Sequence, residues 1–470
     1  MAHNYPAEVS AIKISDEEKL RTNAQFIYTA LEEEGIFEAQ TLGEVTATVT
    51  NFCSKLEATG LYDSVVVELG KDNNVDAERH NIQVEVNIQE KKWYKIFVGA
   101  GIKQQGLGMS EASQLGALPK AQFESSATLS NMRGCTDSTS VSYTIDQTST
   151  PTFAVSHDAP SNVIIGDLDH TSYRAMVDTI DFEHARSYKE FQRSASFRLS
   201  NSRAGSPFLA QGIWKSVEWT TTWRDLLPCR FMNAPFACDA SPNVISECGP
   251  SLKSSVIIDY RLNGVLLDNR LAPTKGFDYS INAELAGPPG DVGFAKVSKF
   301  ISCHVPLNFL DLSLHASLAA GMVRPIEFCG ACKNTVSISD RFFVGGPLQL
   351  RGFEPAGVGP RADEGVGALG GDSLGGELYY TSTIAASIPF PIAKIKDSGA
   401  RLMGFANFGT LTGWGVPLKY IAEGTRASVG IGFVCPTPLG RVEATYAAPI
   451  KYGPRDKREA AQFGFGFIFG

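Results

Sequence analysis

The first 90 residues carry apolar side chains mainly at helical spacing, every three or four positions. A helix brings residues i, i+3 and i+4 to one face, so this spacing predicts helices over about residues 16–34 and 42–59. Thr41 and Glu44 form a capping-box pattern before the second helix, and Gly60 stands where a helix-ending glycine is expected. The two apolar faces consist of Leu20, Ala24, Ile27 and Leu31 in the first helix and Leu42, Val45, Val49, Phe52 and Leu56 in the second.

Strand patterns flank these two helices. Residues 9–14 and 65–69 read as short strands, and residues 82–88 alternate strictly between apolar and polar side chains. The order is therefore strand, helix, helix, strand, strand. We expect one compact α+β domain over residues 1–90.

From Trp93 onward the helical period is replaced by a period of two, in stretches of about ten residues separated by turn-rich segments. One such stretch, residues 276–286, places only apolar side chains on one face and polar side chains on the other. The last stretch has phenylalanine at every second position from Phe463 to Phe469, with Gln462, Gly464 and Gly466 on its other face. Both stretches predict strands that need a large apolar environment.

Two architectures account for this alternation. A soluble sandwich turns the apolar face inward, whereas a membrane barrel turns it toward lipid and lines its lumen with polar residues. Strands of about 9–11 residues suit a tilted bilayer crossing and exceed the usual length in soluble sheets. About sixteen candidate strands follow Trp93, and an even number lets the first and last meet antiparallel. The pattern favours a 16-stranded antiparallel transmembrane β-barrel over residues 91–470.

Composition narrows the function classes. The net charge is −8 and no Lys/Arg run occurs, which argues against a nucleic-acid partner. No apolar run is long enough for a transmembrane helix, and the N-terminus has neither a secretory nor a mitochondrial presequence pattern. Nine scattered cysteines, including the isolated Cys329–Cys332 pair, are expected to be free thiols, which favours a eukaryotic organelle over an oxidising periplasm. The seven histidines are dispersed and the common catalytic motifs are missing, so we expect no enzyme, cofactor or metal.

The longest interruption of the strand pattern covers about residues 325–371, between the eleventh and twelfth candidate strands. A loop of more than about 15 residues is usually functional or disordered. This one keeps its glycines and aromatic residues together, which predicts an ordered loop folded into the lumen. There Arg351 would bind a lumen-facing acid such as Glu377 or Glu443. A surface loop with an ordinary salt bridge is the alternative.

The centre of this loop resembles the signature loop of the POTRA-bearing outer-membrane assembly and translocation superfamily. The similarity rests on Leu350-Arg351-Gly352-Phe353, preceded by Phe342-Phe-Val-Gly345-Gly346. Residues 267–276, 370–391 and 437–447 are similar to other segments of that family in the expected order. Where the family often has Asp in strand thirteen, this chain has Asn407, which cannot pair with Arg351 as an anion.

The one POTRA-length domain and the free cysteines resemble the mitochondrial branch, the barrel core of the sorting and assembly machinery. Gln462, Gly464, Phe467 and Phe469 also match the β-signal pattern of mitochondrial barrels. The resemblance implies an insertase in the mitochondrial outer membrane with its N-terminus in the intermembrane space. Its implied partners are unfolded barrel precursors, cytosol-facing subunits of the complex, lipid and a second barrel copy.

The family mechanism is a lateral gate between the first and last strands, at which a precursor strand pairs by β-augmentation. The gate would be formed by Tyr94, Ile96, Val98 and Ala100 in the first strand and by residues 461–469 in the last. Gly464 and Gly466 either weaken the last strand or make room for the loop. The alternative function is a channel that translocates polypeptides or metabolites.

Overall fold

The computed structural model describes sixteen stretches of the chain. They are residues 5–15, 17–58, 60–71, 81–103, 120–146, 151–165, 168–201, 213–229, 240–262, 266–269, 271–307, 309–327, 335–363, 370–392, 398–437 and 440–466.

The N-terminal domain has the predicted order of elements. β1 (Glu8–Ile14), α1 (Ala24–Glu33), α2 (Leu42–Ala58), β2 (Tyr62–Lys71) and β3 (Asn81–Glu90) follow one another, and the sheet order is β1-β3-β2. The apolar helix faces and the inner strand positions form one buried cluster. The capping box is present, because Thr41 Oγ1 accepts from the backbone of Glu44 while the Glu44 carboxylate accepts from the backbone of Thr41.

The first helix begins later than predicted. Asn23 is its N-cap, with Oδ1 accepting from the backbone N–H of Gln25 at 2.9 Å, and α1 starts at Ala24. The preceding residues Glu17–Lys19 form a 3-10 turn instead. The expectation of one helix over residues 16–34 was therefore wrong at its start, because a side-chain cap interrupts the apolar period.

The remaining strands form one 16-stranded antiparallel sheet in which each strand pairs with its neighbours in chain order. Within the described stretches, three short helices lie between strands: α3 (Glu183–Arg186), α4 (Pro242–Glu247) and α5 (Leu418–Glu423). The strands are β4 (Tyr94–Lys103), β5 (Lys120–Ser130), β6 (Ser138–Asp146), β7 (Pro151–Ile165), β8 (Leu168–Asp181), β9 (Tyr188–Ser200), β10 (Ile213–Pro228), β11 (Gly249–Leu262), β12 (Gly276–Ala286), β13 (Phe294–Pro306), β14 (Ser313–Pro325), β15 (Leu378–Pro389), β16 (Arg401–Thr412), β17 (Arg426–Thr437), β18 (Gly440–Lys451) and β19 (Ala461–Gly466).

Burial decides between the two architectures. In β12 the polar side chains of Ser280, Asn282 and Glu284 are buried inside, whereas apolar Phe277 and Leu285 are 36% and 50% exposed outside. A soluble sandwich would bury the apolar face. The outward apolar face is that of a transmembrane β-barrel, as predicted.

None of the helices in the described stretches is both long and apolar enough to cross a bilayer.

The two ends of the barrel follow from strand direction. β4 is the first strand of the barrel and begins beside the N-terminal domain. Neighbouring strands are antiparallel, so the first, third and later odd strands of the barrel (β4, β6 and so on) start at that end, and the even ones (β5, β7 and so on) finish there. β14 is the eleventh barrel strand and runs away from the domain. The chain between Pro325 and Leu378 therefore enters the barrel from the opposite end.

The N-terminal domain contacts the turn between β5 and β6. Thr22 Oγ1 donates to Glu90 and accepts from Asn131 Nδ2 at 2.8 Å, and the Arg21 guanidinium lies 4.8 Å from the Trp93 ring centre. Tyr62 joins this group at 3.1 Å from Thr22, where burial and the nearby carboxylate raise the pKa of its phenol to about 12. A neutral phenol thus completes the contact.

Candidate functional site at the loop tip and the last strand

The described centre of the long loop, residues 335–363, lies in the barrel lumen. Its side chains pack against strand residues that face inward, including Phe294, Val323 and Tyr379. A surface loop would leave these large side chains in water, so the lumen interpretation agrees with the structure. The loop members of this buried cluster are Val336, Phe342, Val344, Leu350, Phe353 and Val358.

Two glycines make the turn at the start of the signature segment. Gly345 has φ +133° and Gly346 has φ +96°, a region that favours glycine. A Cβ on Gly345 would lie 2.0 Å from the carbonyl oxygen of Glu354. The loop can thus fold back on itself only with glycine at this position.

Of the two acids predicted to bind Arg351, Glu377 and Glu443, only Glu443 contacts it. Arg351 Nε donates to Glu443 Oε1 at 2.5 Å, and its guanidinium carbon lies 5.0 Å from the Phe405 ring centre. Glu377 instead accepts from the backbone of Trp414 at 2.7 Å. Within the described stretches no hydrogen bond or ion pair joins Glu377 to Arg351, so that expectation was wrong.

Asn407 also has a different partner. Its Oδ1 accepts from Thr383 Oγ1 at 2.9 Å, on the neighbouring strand β15. Its Nδ2 is buried without a hydrogen-bond partner in the described part of the chain. Asn407 thus lies in the barrel wall and does not bond the signature arginine.

The tip of the loop, residues 350–354, binds the last strand directly. The backbone N–H of Gly352 donates to Gln462 Oε1 at 2.9 Å, and Gln462 Nε2 donates to the carbonyl of Phe353 at 2.7 Å. On β17, Ser428 Oγ donates to the carbonyl of Arg351 at 2.6 Å. The signature residues are therefore held to three consecutive strands, β17, β18 and β19.

Backbone pairing extends this contact along the chain before β19. Gly352 accepts from Glu459 N at 3.1 Å, and Glu354 N donates to Lys457 at 3.0 Å. Lys457 N in turn donates to Gly357 at 2.9 Å. The signature loop and the approach to the last strand thus behave as one hydrogen-bonded unit.

Gly464 lies against the loop. A Cβ there would be 3.2 Å from both Pro347 and Leu348 side chains. That spacing supports the interpretation that Gly464 makes room for the loop. Phe467 and Phe469 lie outside the described residues, and of Gly466 the backbone pairs with Arg441.

Three of the four residues predicted for the first barrel strand are exposed: Tyr94, Ile96 and Val98, at 47%, 70% and 61%. The fourth, Ala100, belongs to the backbone of β4, and its side chain lies outside the described part of the chain. β4 pairs with β5, and β19 pairs with β18. Between residues 94–103 and 461–466, the parts of these two strands that the structure describes, no ladder is formed.

A second anchor of the loop was not predicted. Asp340 lies in the loop before the tip and accepts two hydrogen bonds from Arg224, at 2.9 and 2.5 Å. Both side chains are almost fully buried. Lys253 lies 3.4 Å from the same carboxylate, and Lys296 donates to the Asp340 carbonyl at 3.0 Å. These cations come from β10, β11 and β13. The one sequence signal for this anchor is the set of charged residues on the polar strand faces, and that signal does not indicate which loop residue they bind.

The residues next to Asp340 in the chain are also held by hydrogen bonds. Ser339 Oγ donates to Glu190 at 2.6 Å. Glu247 of α4 accepts from Arg341 Nη2 at 2.7 Å and from Ile338 N at 2.6 Å. These four consecutive residues, 338–341, form the stem of the loop, and each of them is hydrogen-bonded.

The cysteines in the described part of the chain are free thiols, as expected. They are Cys53, Cys135, Cys229, Cys248, Cys303 and Cys435. Cys238, Cys329 and Cys332 lie outside the described residues. His304 and His315 face each other with 2.7 Å between their Nδ1 atoms, beside a lumen cavity of about 350 Å³. In the described stretches no three His, Cys, Asp or Glu side chains group in a way that would hold a metal.

Residues 131–469 match the model of the Omp85 superfamily domain. The chain belongs to the Omp85 superfamily. Among the similar proteins, the sorting and assembly machinery component 50 homolog of Mus musculus is 33% identical over 276 residues, 55% of this chain and 53% of the relative. The SAM50-like protein of Schizosaccharomyces pombe is 32% identical over 295 residues, 59% of each chain. The chain spans about half the length of the curated relatives it matches.

A solved structure shares the fold. The crystal structure of BamA from Haemophilus ducreyi lacking POTRA domains 1–3 superposes with a TM-score of 0.71 at 18% sequence identity. The match covers 97% of this chain and 84% of that chain.

Proposed function

We propose that this protein inserts β-barrel precursors into the mitochondrial outer membrane, using the seam between β4 and β19 as a lateral gate. The observation that supports this proposal most directly is that Gln462, in the last strand, forms two hydrogen bonds with the loop tip, one with Gly352 and one with Phe353. The loop holds the last strand from inside the lumen. The same strand has no described ladder with the first strand, so its outer edge is available for exchange.

Strand chemistry explains what such a seam does. An unfolded barrel precursor in lipid carries unpaired N–H and C=O groups, each costing several kcal/mol. The edge of β4 offers ten residues of backbone, with exposed Ile96 and Val98 facing the bilayer. A precursor strand that adds to β4 by β-augmentation pairs its backbone before it enters lipid fully. The family mechanism therefore fits the exposed edge.

The N-terminal domain is proposed to be a POTRA domain in the intermembrane space. Its sheet order β1-β3-β2 leaves β2 at an edge, where Val66 and Leu69 are 49% and 38% exposed. An edge of this kind can receive an extended segment of a precursor or of a partner subunit. Cytosol-facing subunits of the complex and a second barrel copy are the other proposed partners.

A translocating channel is the second candidate function, because the superfamily resemblance includes translocation. The loop that packs against the lumen wall disfavours an open path in this conformation. In a channel the precursor would contact lumen residues rather than the outer edge of β4.

The test is crosslinking in mitochondria from cells that express the chain with its nine cysteines replaced by serine. Single cysteines are introduced along residues 94–103, and a stalled precursor carries one cysteine in its last strand. We expect crosslinks with a period of two residues and one fixed register. The same scan along β12, which is paired on both sides, is the control and should give none. Crosslinks to the lumen face of β12, with none along β4, would replace the insertase by the channel.

A further inference from the structure

Glu443 receives two arginines from different parts of the molecule. Arg351 Nε donates to Oε1 at 2.5 Å, and Arg441 Nη2 donates to Oε2 at 2.8 Å. Arg351 belongs to the loop, whereas Arg441 lies two residues before Glu443 on β18 and therefore on the same face of the strand. If the loop tip withdraws, one cation leaves and the other stays.

Arg441 has bonding capacity left over. It gives Glu443 a single hydrogen bond, and its Nε is buried without a partner in the described part of the chain. An arginine binds a carboxylate best through two parallel N–H groups. Arg441 is thus positioned to take the place of Arg351 on Glu443.

The other strand groups that hold the tip are uncharged. Ser428 and Gln462 contribute a hydroxyl and an amide, which water can satisfy. A cavity of about 350 Å³ adjoins Arg351, Arg441 and Glu443 and gives water room to enter. Glu443 is fully buried, so among these groups its charge is the one that opposes release of the tip most strongly.

We propose that Arg441 is a positioning residue that keeps Glu443 paired when the loop tip withdraws, so that the tip contact is reversible while the Asp340 stem stays bound. Release of the tip would free Gln462 and with it the last strand. This final step rests on the proposed function, whereas the exchange of counter-ions on Glu443 does not.

The test measures hydrogen exchange of the peptide that covers residues 350–354 in the full chain in lipid nanodiscs, because opening of the tip exposes these amides. Arg441→Gln should slow exchange by about tenfold or more, since release would then leave a buried carboxylate unpaired. Arg441→Lys keeps a cation and should restore release. Adding Glu443→Gln to Arg441→Gln should restore it as well, because no buried charge remains.

Arg261→Gln is the matched control. Arg261 also pairs with a carboxylate two residues away on its own strand, Asp259 at 2.6 Å, and it is as exposed as Arg441. This variant should leave the tip unchanged. Exchange in Arg441→Gln at or above the wild-type rate, or an equal slowing by Arg261→Gln, would overturn the proposal.

The same variants separate the two proposals. Insertion of a radiolabelled precursor is measured in parallel with exchange. Slower exchange together with slower insertion supports both. Slower exchange with unchanged insertion supports the exchange on Glu443 and counts against loop release as a step of insertion.

Discussion

The backbone N–H of Gly352 donates a hydrogen bond to the side-chain Oε1 of Gln462, 110 positions later, at 2.9 Å. The same amide donates from Nε2 to the carbonyl of Phe353. One side chain of the last strand thus pairs two backbone groups of the loop tip. The loop and the strand at the seam are coupled through this residue.

Replacing Gln462 by alanine should release the tip. Both backbone groups lose a buried partner, which costs about 2 kcal/mol or more in local opening free energy. Hydrogen exchange of residues 350–354 should therefore accelerate, and precursor insertion should fall. Gln89→Ala, at an exposed position of β3, is the control and should change neither. Unchanged protection of the tip in Gln462→Ala would show that the backbone pairing to residues 457–459 holds it alone.

Gly352→Ala should loosen the tip for two reasons. Gly352 has φ +88°, and a Cβ would meet Ser428 and Ala447 at 3.2 and 3.3 Å. Gly415 has φ +81° with open space around it, so Gly415→Ala carries the backbone strain alone, about 1 kcal/mol. Thermal unfolding of both variants in detergent should show the larger loss for Gly352→Ala. Equal losses would mean that the strands next to the tip yield without cost.

Asp340→Asn should destabilise the stem of the loop strongly. Removing one partner of a buried ion pair costs about 3–5 kcal/mol, here because Arg224 and Lys253 lose their shared carboxylate. Glu423→Gln is the matched control, since the Lys419–Glu423 pair is exposed and worth about 0.5 kcal/mol at most. Denaturant unfolding measures both losses, and protease cleavage within residues 335–363 reports the stem. A loss for Asp340→Asn as small as that of the control would contradict the anchor.

A disulfide between β4 and β19 should block insertion and leave folding intact. The pairs are scanned over the register in the cysteine-free chain, and insertion is measured before and after reduction. A disulfide between positions 256 and 285 is the control, because Val256 and Leu285 are direct neighbours on paired strands away from the seam. Reduction should restore insertion only in the seam variant. Full insertion by the oxidised seam variant would exclude the gate.

The alternation of apolar and polar residues along the chain was enough to predict the architecture. The period of two from Trp93 onward and the polar alternate positions of residues 276–286 predicted β12 at its observed bounds and a lipid-facing barrel. These patterns are local, because side-chain direction in a strand depends only on its alternation. The glycines and aromatic residues of the signature segment likewise predicted an ordered loop between the eleventh and twelfth barrel strands. The start of α1 was wrong because the Asn23 cap overrides the apolar period.

Which distant groups meet depends on how the whole chain folds. The sequence left Glu377 and Glu443 as equal partners for Arg351, and the structure brings Glu443 alone to it. It also brings Asp340 to Arg224, 116 positions away, and Gln462 to the loop tip. Each lumen-facing strand position carries the same local signal. Its partner is fixed by strand register, barrel curvature and the path of the loop across the lumen, and no short segment of sequence encodes these.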